Sequence, residues 1–237
     1  DGTSGDDTIL IDDNNSPDSG RASYVAGAGN DIINVDNKTG YIFGGAGNDR
    51  IIANDSSNHR FDGGTGNDTL GGDMSWGTFI GGDGADVFVM EVDVGTWDTG
   101  DRTIEGYDNN NDLVVDFITE TNNRPGTIVD FEDGVDKIGL KGDWSGKTIV
   151  VGQGTGDNAA HTFLYKASAD HNDSDAQIYI ILANTTASTI TADDFVLVGS
   201  DYTTSALSGV TVSTDASLIS SGLPSIAPIL PVGSAAL

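Results

Sequence analysis

Aspartates that end short glycine-rich segments are the residues of this chain best suited to chemistry. The segment GGAGND begins at residue 44, near copies AGAGND, GGTGND and GGDGAD begin at residues 26, 63 and 81, and a more distant copy, GTSGDD, begins at residue 2. Their final aspartates are separated by 24, 18, 19 and 18 residues, which is a period of 18 with one insertion. A fixed period of this size is typical of stacked structural repeats. The aspartates are Asp7, Asp31, Asp49, Asp68 and Asp86.

Short apolar segments between these turns indicate the elements that position the aspartates. One segment follows every aspartate and another precedes every glycine pair, which predicts two short strands and two turns in each period. Stacked coils of this kind form two parallel sheets, with about 4.8 Å between strands and a narrow core between the sheets. Helices are disfavoured because glycine recurs too densely. The predicted inward ladders are Ile9, Ile33, Ile51, Leu70 and Phe88 in one sheet, and Tyr24, Ile42, Phe61 and Phe79 in the other.

Stacking the aspartates creates an electrostatic problem that predicts a metal ion. Carboxylates about 4.8 Å apart repel by roughly 3 kcal/mol per neighbouring pair at an effective dielectric of ~20. No Lys or Arg lies within the glycine-rich turns to offset this repulsion. Carboxylate and backbone carbonyl oxygens suit Ca²⁺, which accepts a flexible oxygen shell, better than Mg²⁺, which demands a strict octahedron. Glycines permit the backbone of a tight metal-binding turn, and the candidates are Gly27, Gly29, Gly45, Gly47, Gly64, Gly66, Gly82 and Gly84.

The segments AGAGNDIIN, GGAGNDRII, GGTGNDTLG and GGDGADVFV resemble the nonapeptide GGxGxDxUx of the repeats-in-toxin family. The resemblance covers roughly residues 1 to 90 and implies a parallel β-roll that binds several Ca²⁺ ions in its turns. In this family each ion is shared by turns one full coil apart. Carried over to this chain, the ions lie between Asp7 and Asp31, Asp31 and Asp49, Asp49 and Asp68, and Asp68 and Asp86.

The half-turns on the opposite edge of the predicted roll depart from the family pattern. They read DNKTGY, DSSNHR and DMSWGT, without the repeated glycines. Asp36, Asp55 and Asp73 are expected to stack along this edge. Either they hold fewer or weaker ions, or they form solvated polar turns.

Residues 91 to 199 have sparser glycine and longer alternating apolar runs, which predict antiparallel strands. The segments TIVDFEDGVDKIGL and TADDFVLVG resemble the region that follows the roll in secreted family members, including serralysin-like proteases and alginate epimerase modules. This region would cap the last coil, whose sheet edge is otherwise open. Asp130 and Asp136 are either additional ligands or turn-forming residues.

The predicted fold class is therefore all-β, with a parallel β-roll in residues 1–90, an antiparallel β cap in residues 91–199 and an extended C-terminal tail in residues 200–237. The tail lacks Lys and Arg and is rich in small and apolar residues. It is compatible with the uncleaved type I secretion signal of the family, and the alternative is a docking strand.

Composition excludes several function classes. The 37 acidic and 10 basic residues give a net charge of −27, which argues against nucleic acid as a partner and favours cations. The chain has no cysteine for a disulfide or a thiolate metal site, and no apolar run approaches the ~18 residues of a membrane span. It lacks a signal peptide and an initiator Met, so a mature product or a fragment is expected.

Catalysis finds little support in the sequence. His59, His161 and His171 are dispersed, and neither HExxH nor GxSxG is present. A Walker-like SGKT at residue 145 lacks the required glycine upstream, and the EF-hand-like DHNDSD at residue 170 lacks both the glycine and the glutamate of that loop. No catalytic residue is predicted, and the chain is not expected to be an enzyme.

The resemblance and the aspartate columns together predict folding coupled to Ca²⁺. The chain is interpreted as a secreted, extracellular or surface-attached bacterial protein that uses the type I secretion apparatus. It is expected to serve a structural role, such as a surface layer, filament or adhesin, as a homo-oligomer or bound to a cell-surface polysaccharide. The alternative is the C-terminal secretion and folding module of a protease, lipase, alginate epimerase or lyase whose catalytic domain lies upstream.

Overall fold

The fold of the repeats is a two-sheet roll. The computed structural model describes residues 2–12, 22–36, 40–54, 60–72, 77–91, 106–107, 117–118, 126–154, 159–167 and 177–214. Successive strands of the repeats alternate between the two sheets, and all neighbours in each sheet run parallel. The strands are β1 Thr8–Asp12, β2 Ala22–Ala28, β3 Ile32–Asp36, β4 Gly40–Ala46, β5 Arg50–Asn54, β6 Arg60–Thr65, β7 Thr69–Gly72, β8 Thr78–Asp83 and β9 Val87–Glu91.

Most strands beyond the repeats extend the two sheets. They are β10 Gly106–Tyr107, β11 Phe117–Ile118, β12 Gly126–Ile128, β13 Lys137–Lys141, β14 Thr148–Gln153, β15 Thr162–Ala167, β16 Gln177–Leu182, β17 Phe195–Val198, β18 Thr204–Ala206 and β19 Thr211–Ser213. One sheet has the order β1-β3-β5-β7-β9-β13-β17-β18, and the other β19-β14-β15-β16-β12-β8-β6-β4-β2. Strands β10 and β11 form a separate antiparallel pair. No helix among the described residues is long and apolar enough to cross a membrane.

The predicted parallel roll followed by an antiparallel portion is confirmed, with one difference. Strands β14, β15 and β16 pair antiparallel, as do β17 and β18. However, β12 runs parallel to β8 and β13 runs parallel to β9, so residues 126–141 form a sixth coil. Strands β16 and β17 add a seventh coil in the same way. Most of the run DLVVDFI at residue 112 lies outside the described residues.

Register explains why this sixth coil stacks without the glycine motif. Ile128 lies opposite Phe79, and Ile138 lies opposite Phe88, so both inward ladders continue across the junction. Burial of these apolar side chains stabilises the stack whether or not the turn between the strands contains glycines. The coil therefore covers the sheet edges that β8 and β9 would otherwise expose.

The narrow core consists of the two predicted ladders. Ile33, Ile51, Leu70 and Phe88 are buried in one sheet, and Ile42, Phe61 and Phe79 are buried in the other. The rings of Phe61 and Phe79 pack edge to face with centroids 5.3 Å apart. At the N-terminal end, β1 and β2 are the last of the described strands in their sheets, and Ile9 and Tyr24 there are only partly buried.

Truncation of one inward-facing side chain should measure how much this core stabilises the roll. Phe61 is fully buried between its ladder neighbours Ile42 and Phe79. Phe61→Ala is therefore expected to lower the free energy of unfolding by about 3 to 5 kcal/mol. Leu10 is 69% exposed, and Leu10→Ala serves as the control with a change below about 0.5 kcal/mol. Urea unfolding in the presence of calcium would measure both. Equal effects of the two substitutions would contradict the assignment of the core.

Candidate metal centre

The glycine-rich turns lie along one edge of the roll, where consecutive coils approach each other through their backbones. A Cβ built on Gly45 would lie 2.0 Å from the carbonyl oxygen of Gly27, and one built on Gly64 would lie 2.1 Å from that of Gly45. Only glycine fits such an approach. Positive φ angles occur at Gly27, Gly29, Gly45, Gly47, Gly64, Gly66, Gly82 and Gly84, which are the eight glycines named from the sequence.

A hydrogen-bonded ladder joins the aspartates of successive turns. The backbone N–H of Asp31 donates to Oδ1 of Asp49 at 2.8 Å, and that of Asp49 donates to Oδ1 of Asp68 at 2.7 Å. The same bond joins Asp7 to Asp31 at 2.7 Å and Asp68 to Asp86 at 2.8 Å. The structure therefore brings the five predicted aspartates into one column, with one oxygen of each later carboxylate bonded to the coil before it.

In four of the five aspartates of this column, the second carboxylate oxygen has no hydrogen-bond partner. Oδ2 of Asp31, Asp49, Asp68 and Asp86 is buried and makes no hydrogen bond. These four side chains are at most 2% exposed. A buried ionised oxygen without a partner is strongly unfavourable, so a proton or a cation is needed at each of these atoms.

Burial also raises the pKa of three carboxylates in the column. Burial raises the pKa of Asp68 to about 7, and raises that of Asp49 and of Asp86 to about 6. The hydrogen bond that each carboxylate accepts from a backbone N–H acts in the opposite direction. Neighbouring carboxylates raise the pKa further, as Asp86 and Asp49 do for Asp68. Folding therefore raises the affinity of these three carboxylates for protons.

Carbonyl oxygens of the next coil lie beside these carboxylates. The position that a Cβ would take on Gly44 is 2.3 Å from Oδ2 of Asp49 and 2.6 Å from the carbonyl oxygen of Gly63. The equivalent position on Gly63 is 2.3 Å from Oδ2 of Asp68 and 2.6 Å from the carbonyl oxygen of Gly81. A side-chain oxygen of one coil and a main-chain oxygen of the next therefore converge on the bare face of a glycine. Such hard oxygen donors are those that Ca²⁺ prefers.

Main-chain oxygens would have to provide most of the ligands of a cation at these turns. Within the described ranges, no three His, Cys, Asp or Glu side chains form a group that could hold a metal ion. Each orphaned carboxylate oxygen would contribute one charged ligand, and the glycines allow the carbonyl groups to approach. This donor set is chemically consistent with the Ca²⁺ expected from the sequence.

A second ladder, which the sequence interpretation missed, runs beside the first. The backbone N–H of Asn48 donates to Oδ1 of Asn30 at 2.8 Å, and that of Asn67 donates to Oδ1 of Asn48 at 2.7 Å. Asp6 and Ala85 end this ladder through Asn30 and Asn67. Its bonds point opposite to those of the aspartate ladder, so each turn is fixed from both sides. The recurring GND tripeptide was the signal that could have revealed it.

Acidic residues at the two ends of the column, Asp7 and the further residues Asp130 and Asp136, accept additional hydrogen bonds. Oδ2 of Asp7 accepts bonds from the N–H and the hydroxyl of Thr3 at 2.7 and 2.9 Å. Asp136 accepts the N–H of Asp86 at Oδ1 at 2.9 Å and that of Glu132 at Oδ2 at 2.8 Å. Asp130 accepts the N–H groups of Gly81 and Gly82, both at 3.0 Å. The oxygens of Asp130 and Asp136 thus all have partners, and their role as metal ligands stays a prediction.

Of the remaining residues considered in the sequence, the structure describes Asp36 and His161. Asp36 lies half-buried at the end of β3, and its strand neighbours are Asp12 and Asn54. His161 is buried, and its Nδ1 accepts the backbone N–H of Asn184 at 3.1 Å. Burial lowers the pKa of His161, which suits this structural role. Asp55, Asp73, His59 and His171 lie outside the described residues.

Comparisons with known proteins add a limited finding. No protein-family model matches this chain, and no curated protein matches it significantly. Among solved structures, the chain is similar to the AlgE6R3 subunit of the mannuronan C5-epimerase from Azotobacter vinelandii, with 21% identity and coverage of 81% of this chain and 79% of that chain. The TM-score is 0.29, at which the likeness carries no argument about function. The fold class rests on the strand pairing described above.

Proposed function

We propose that this chain is an extracellular calcium-binding protein of the repeats-in-toxin kind, whose roll folds when Ca²⁺ binds along the aspartate column. The observation that carries the proposal is the set of four buried Oδ2 atoms without partners, at Asp31, Asp49, Asp68 and Asp86. The carbonyl oxygens of Gly63 and Gly81 beside two of them provide further donors of the right chemistry.

The residues of the chain couple folding to calcium through charge. When bound, Ca²⁺ would supply the positive charge and the oxygen coordination that the turns lack. Without it, the ionised column combines mutual repulsion with the loss of hydration, and both destabilise the folded roll. At low calcium the carboxylates therefore favour the unfolded chain, which a secretion channel can thread. At millimolar calcium outside the cell, the free energy of binding becomes free energy of folding.

The role that fits best is structural and non-catalytic. The net charge of −27 suits an environment rich in divalent cations, and the partly buried Ile9 and Tyr24 at the open end of the roll suit contact with another protein surface. The proposed partners are a second copy of the chain or a cell-surface polysaccharide, after export by a type I secretion apparatus. The second candidate, a secretion and folding module of a secreted enzyme, would cover the same open end with an adjoining domain.

A calcium titration tests the proposal. The purified chain, stripped of divalent ions at pH 7.5, is titrated with CaCl₂ while circular dichroism reports β structure and light scattering reports particle size. We expect a cooperative gain of β structure at millimolar calcium. Magnesium at the same concentration serves as the control and should produce a smaller gain, because Mg²⁺ keeps its own waters.

The particle size separates the two candidate roles. Large particles that form together with the β signal would support calcium-dependent assembly, whereas a folded monomer would support the accessory-module alternative. A β spectrum that is already complete in calcium-free buffer at pH 7.5 would refute calcium-coupled folding in both versions.

A further inference from the structure

Turns of the roll fall into two classes according to the residue four positions before the aspartate, called here the second turn position. This position is glycine in the four turns that end at Asp31, Asp49, Asp68 and Asp86, and Thr3 or Glu132 in the turns that end at Asp7 and Asp136. The same division separates aspartates with an orphaned Oδ2 from aspartates whose Oδ2 is bonded. The glycines at the second turn position are Gly27, Gly45, Gly64 and Gly82.

Backbone conformation accounts for the two classes. At the second turn position the four glycines have φ angles of 121°, 119°, 108° and 98°, a region that other L-residues rarely adopt. With this conformation the glycines align with one another across the sheet, Gly27 beside Gly45 and Gly45 beside Gly64. Their N–H groups do not reach the carboxylate of their own turn, since its Oδ2 has no hydrogen bond.

Thr3 and Glu132 keep negative φ angles, and their N–H groups point into their own turns. The N–H of Thr3 donates to Oδ2 of Asp7 at 2.7 Å, and that of Glu132 donates to Oδ2 of Asp136 at 2.8 Å. A hydrogen bond to an ionised carboxylate stabilises the charged form. The oxygen that would need a cation in a glycine turn is therefore satisfied by the main chain in these two turns.

We propose that the residue at the second turn position decides whether a turn takes a cation, an inference that rests on the calcium binding proposed above. Glycine leaves Oδ2 open for Ca²⁺, whereas Thr3 and Glu132 close the column at its two ends without metal. The Asp7 turn then holds no ion of its own. The orphaned Oδ2 of Asp86, the last glycine-turn aspartate before the sixth coil, holds one instead, although that coil lacks the glycine motif. This distribution differs from the pairing implied by the family resemblance, in which the first ion lies between Asp7 and Asp31.

Substitution at Thr3 tests the proposal as a gain of binding. In Thr3→Gly the backbone can adopt the positive φ of the other turns, so this variant is expected to bind one Ca²⁺ more than the wild-type chain. Thr3→Ala is the matched control, because it removes the hydroxyl but keeps an N–H and a negative φ; it should bind the wild-type number. Isothermal titration with CaCl₂ in about 150 mM salt, which screens loose binding to surface charge, gives the stoichiometry.

Two variants that remove a carboxylate test the proposal without relying on an additional bound ion. Asp49→Asn should bind one Ca²⁺ fewer than wild type, whereas Asp7→Asn should bind the wild-type number. An Asp7→Asn variant that loses an ion, or a Thr3→Gly variant that gains none, would overturn the role of the second turn position while leaving calcium binding intact. A wild-type chain that takes up no calcium would overturn both this inference and the proposed function.

Discussion

Replacing Asp49, Asp68 and Asp86 together by asparagine is expected to let the roll fold in calcium-free buffer at pH 7.5, where the wild-type chain is expected to unfold. The substitutions remove three buried charges, and each neighbouring pair of charges costs roughly 3 kcal/mol at an effective dielectric of ~20. Asparagine keeps an oxygen that can accept the ladder bond now accepted by Oδ1. Its amide nitrogen adds a donor beside the carbonyl oxygens of Gly63 and Gly81.

The control for this variant removes the same charge from exposed positions. Asp83, Asp133 and Asp193 are exposed, so their joint replacement by asparagine should leave the requirement for calcium unchanged. Circular dichroism of the three proteins in calcium-free buffer and in 5 to 10 mM CaCl₂ would measure the difference. If the exposed variant also folds without calcium, net charge rather than the buried column controls folding.

In calcium-containing buffer the wild-type chain should be more stable than the triple asparagine variant. The wild-type chain gains free energy from every bound ion, by an amount that grows with the ratio of calcium concentration to Kd. The triple asparagine variant lacks the charged ligands and gains little. A wild-type chain that is less stable than the variant in both buffers would show that the column does not bind calcium productively.

The repeats could be predicted from the periodicity of the sequence because each feature of the pattern depends only on neighbouring residues. Glycine at a fixed spacing marks a turn, an apolar residue two positions after each aspartate marks an inward strand position, and the ladders of Ile51 and Phe61 follow from stacking alone. The column of carboxylates then follows from register. These features require no knowledge of distant contacts.

The sixth and seventh coils were not predictable in the same way. Phe131 and Glu132 replace the glycine pair, and residues 92–125 separate this coil from the last repeat along the chain. Only the continuation of the ladders through Ile128 and Ile138 reveals the stacking, and two apolar residues also fit an antiparallel strand. Long-range pairing decided between the alternatives.

Which carboxylate oxygen lacks a partner also could not be predicted from the sequence. That property depends on the backbone at the second turn position, where a change from Gly27 to Thr3 redirects one N–H group. The motif therefore predicts where carboxylates gather but not how each one is satisfied. The Asp7 turn shows the difference, since its aspartate fits the pattern but is bonded by its own turn.

Acidification is expected to stabilise the calcium-free roll. The pKa of Asp68 rises from its ordinary value of 3.8 to about 7 on folding, and the pKa values of Asp49 and Asp86 rise to about 6, with burial as the main cause. Between pH ~4 and ~7 the folded chain therefore holds more protons than the unfolded chain, and the free energy of unfolding decreases as pH rises through this window.

Circular dichroism of the calcium-free chain between pH 5 and pH 8, with thermal unfolding at each pH where β structure is present, would measure this dependence. The gain at pH 5 over pH 8 is expected to be on the order of a few kcal/mol after allowance for screening by solvent, enough to restore β structure without metal. The variant with asparagine at Asp49, Asp68 and Asp86 should lose most of the dependence. In saturating calcium the slope should change sign, because protons then compete with the cation for the same oxygens. A wild-type chain whose content of β structure without calcium is the same at pH 5 and pH 8 would contradict the proton-linked stabilisation expected from the burial of these carboxylates.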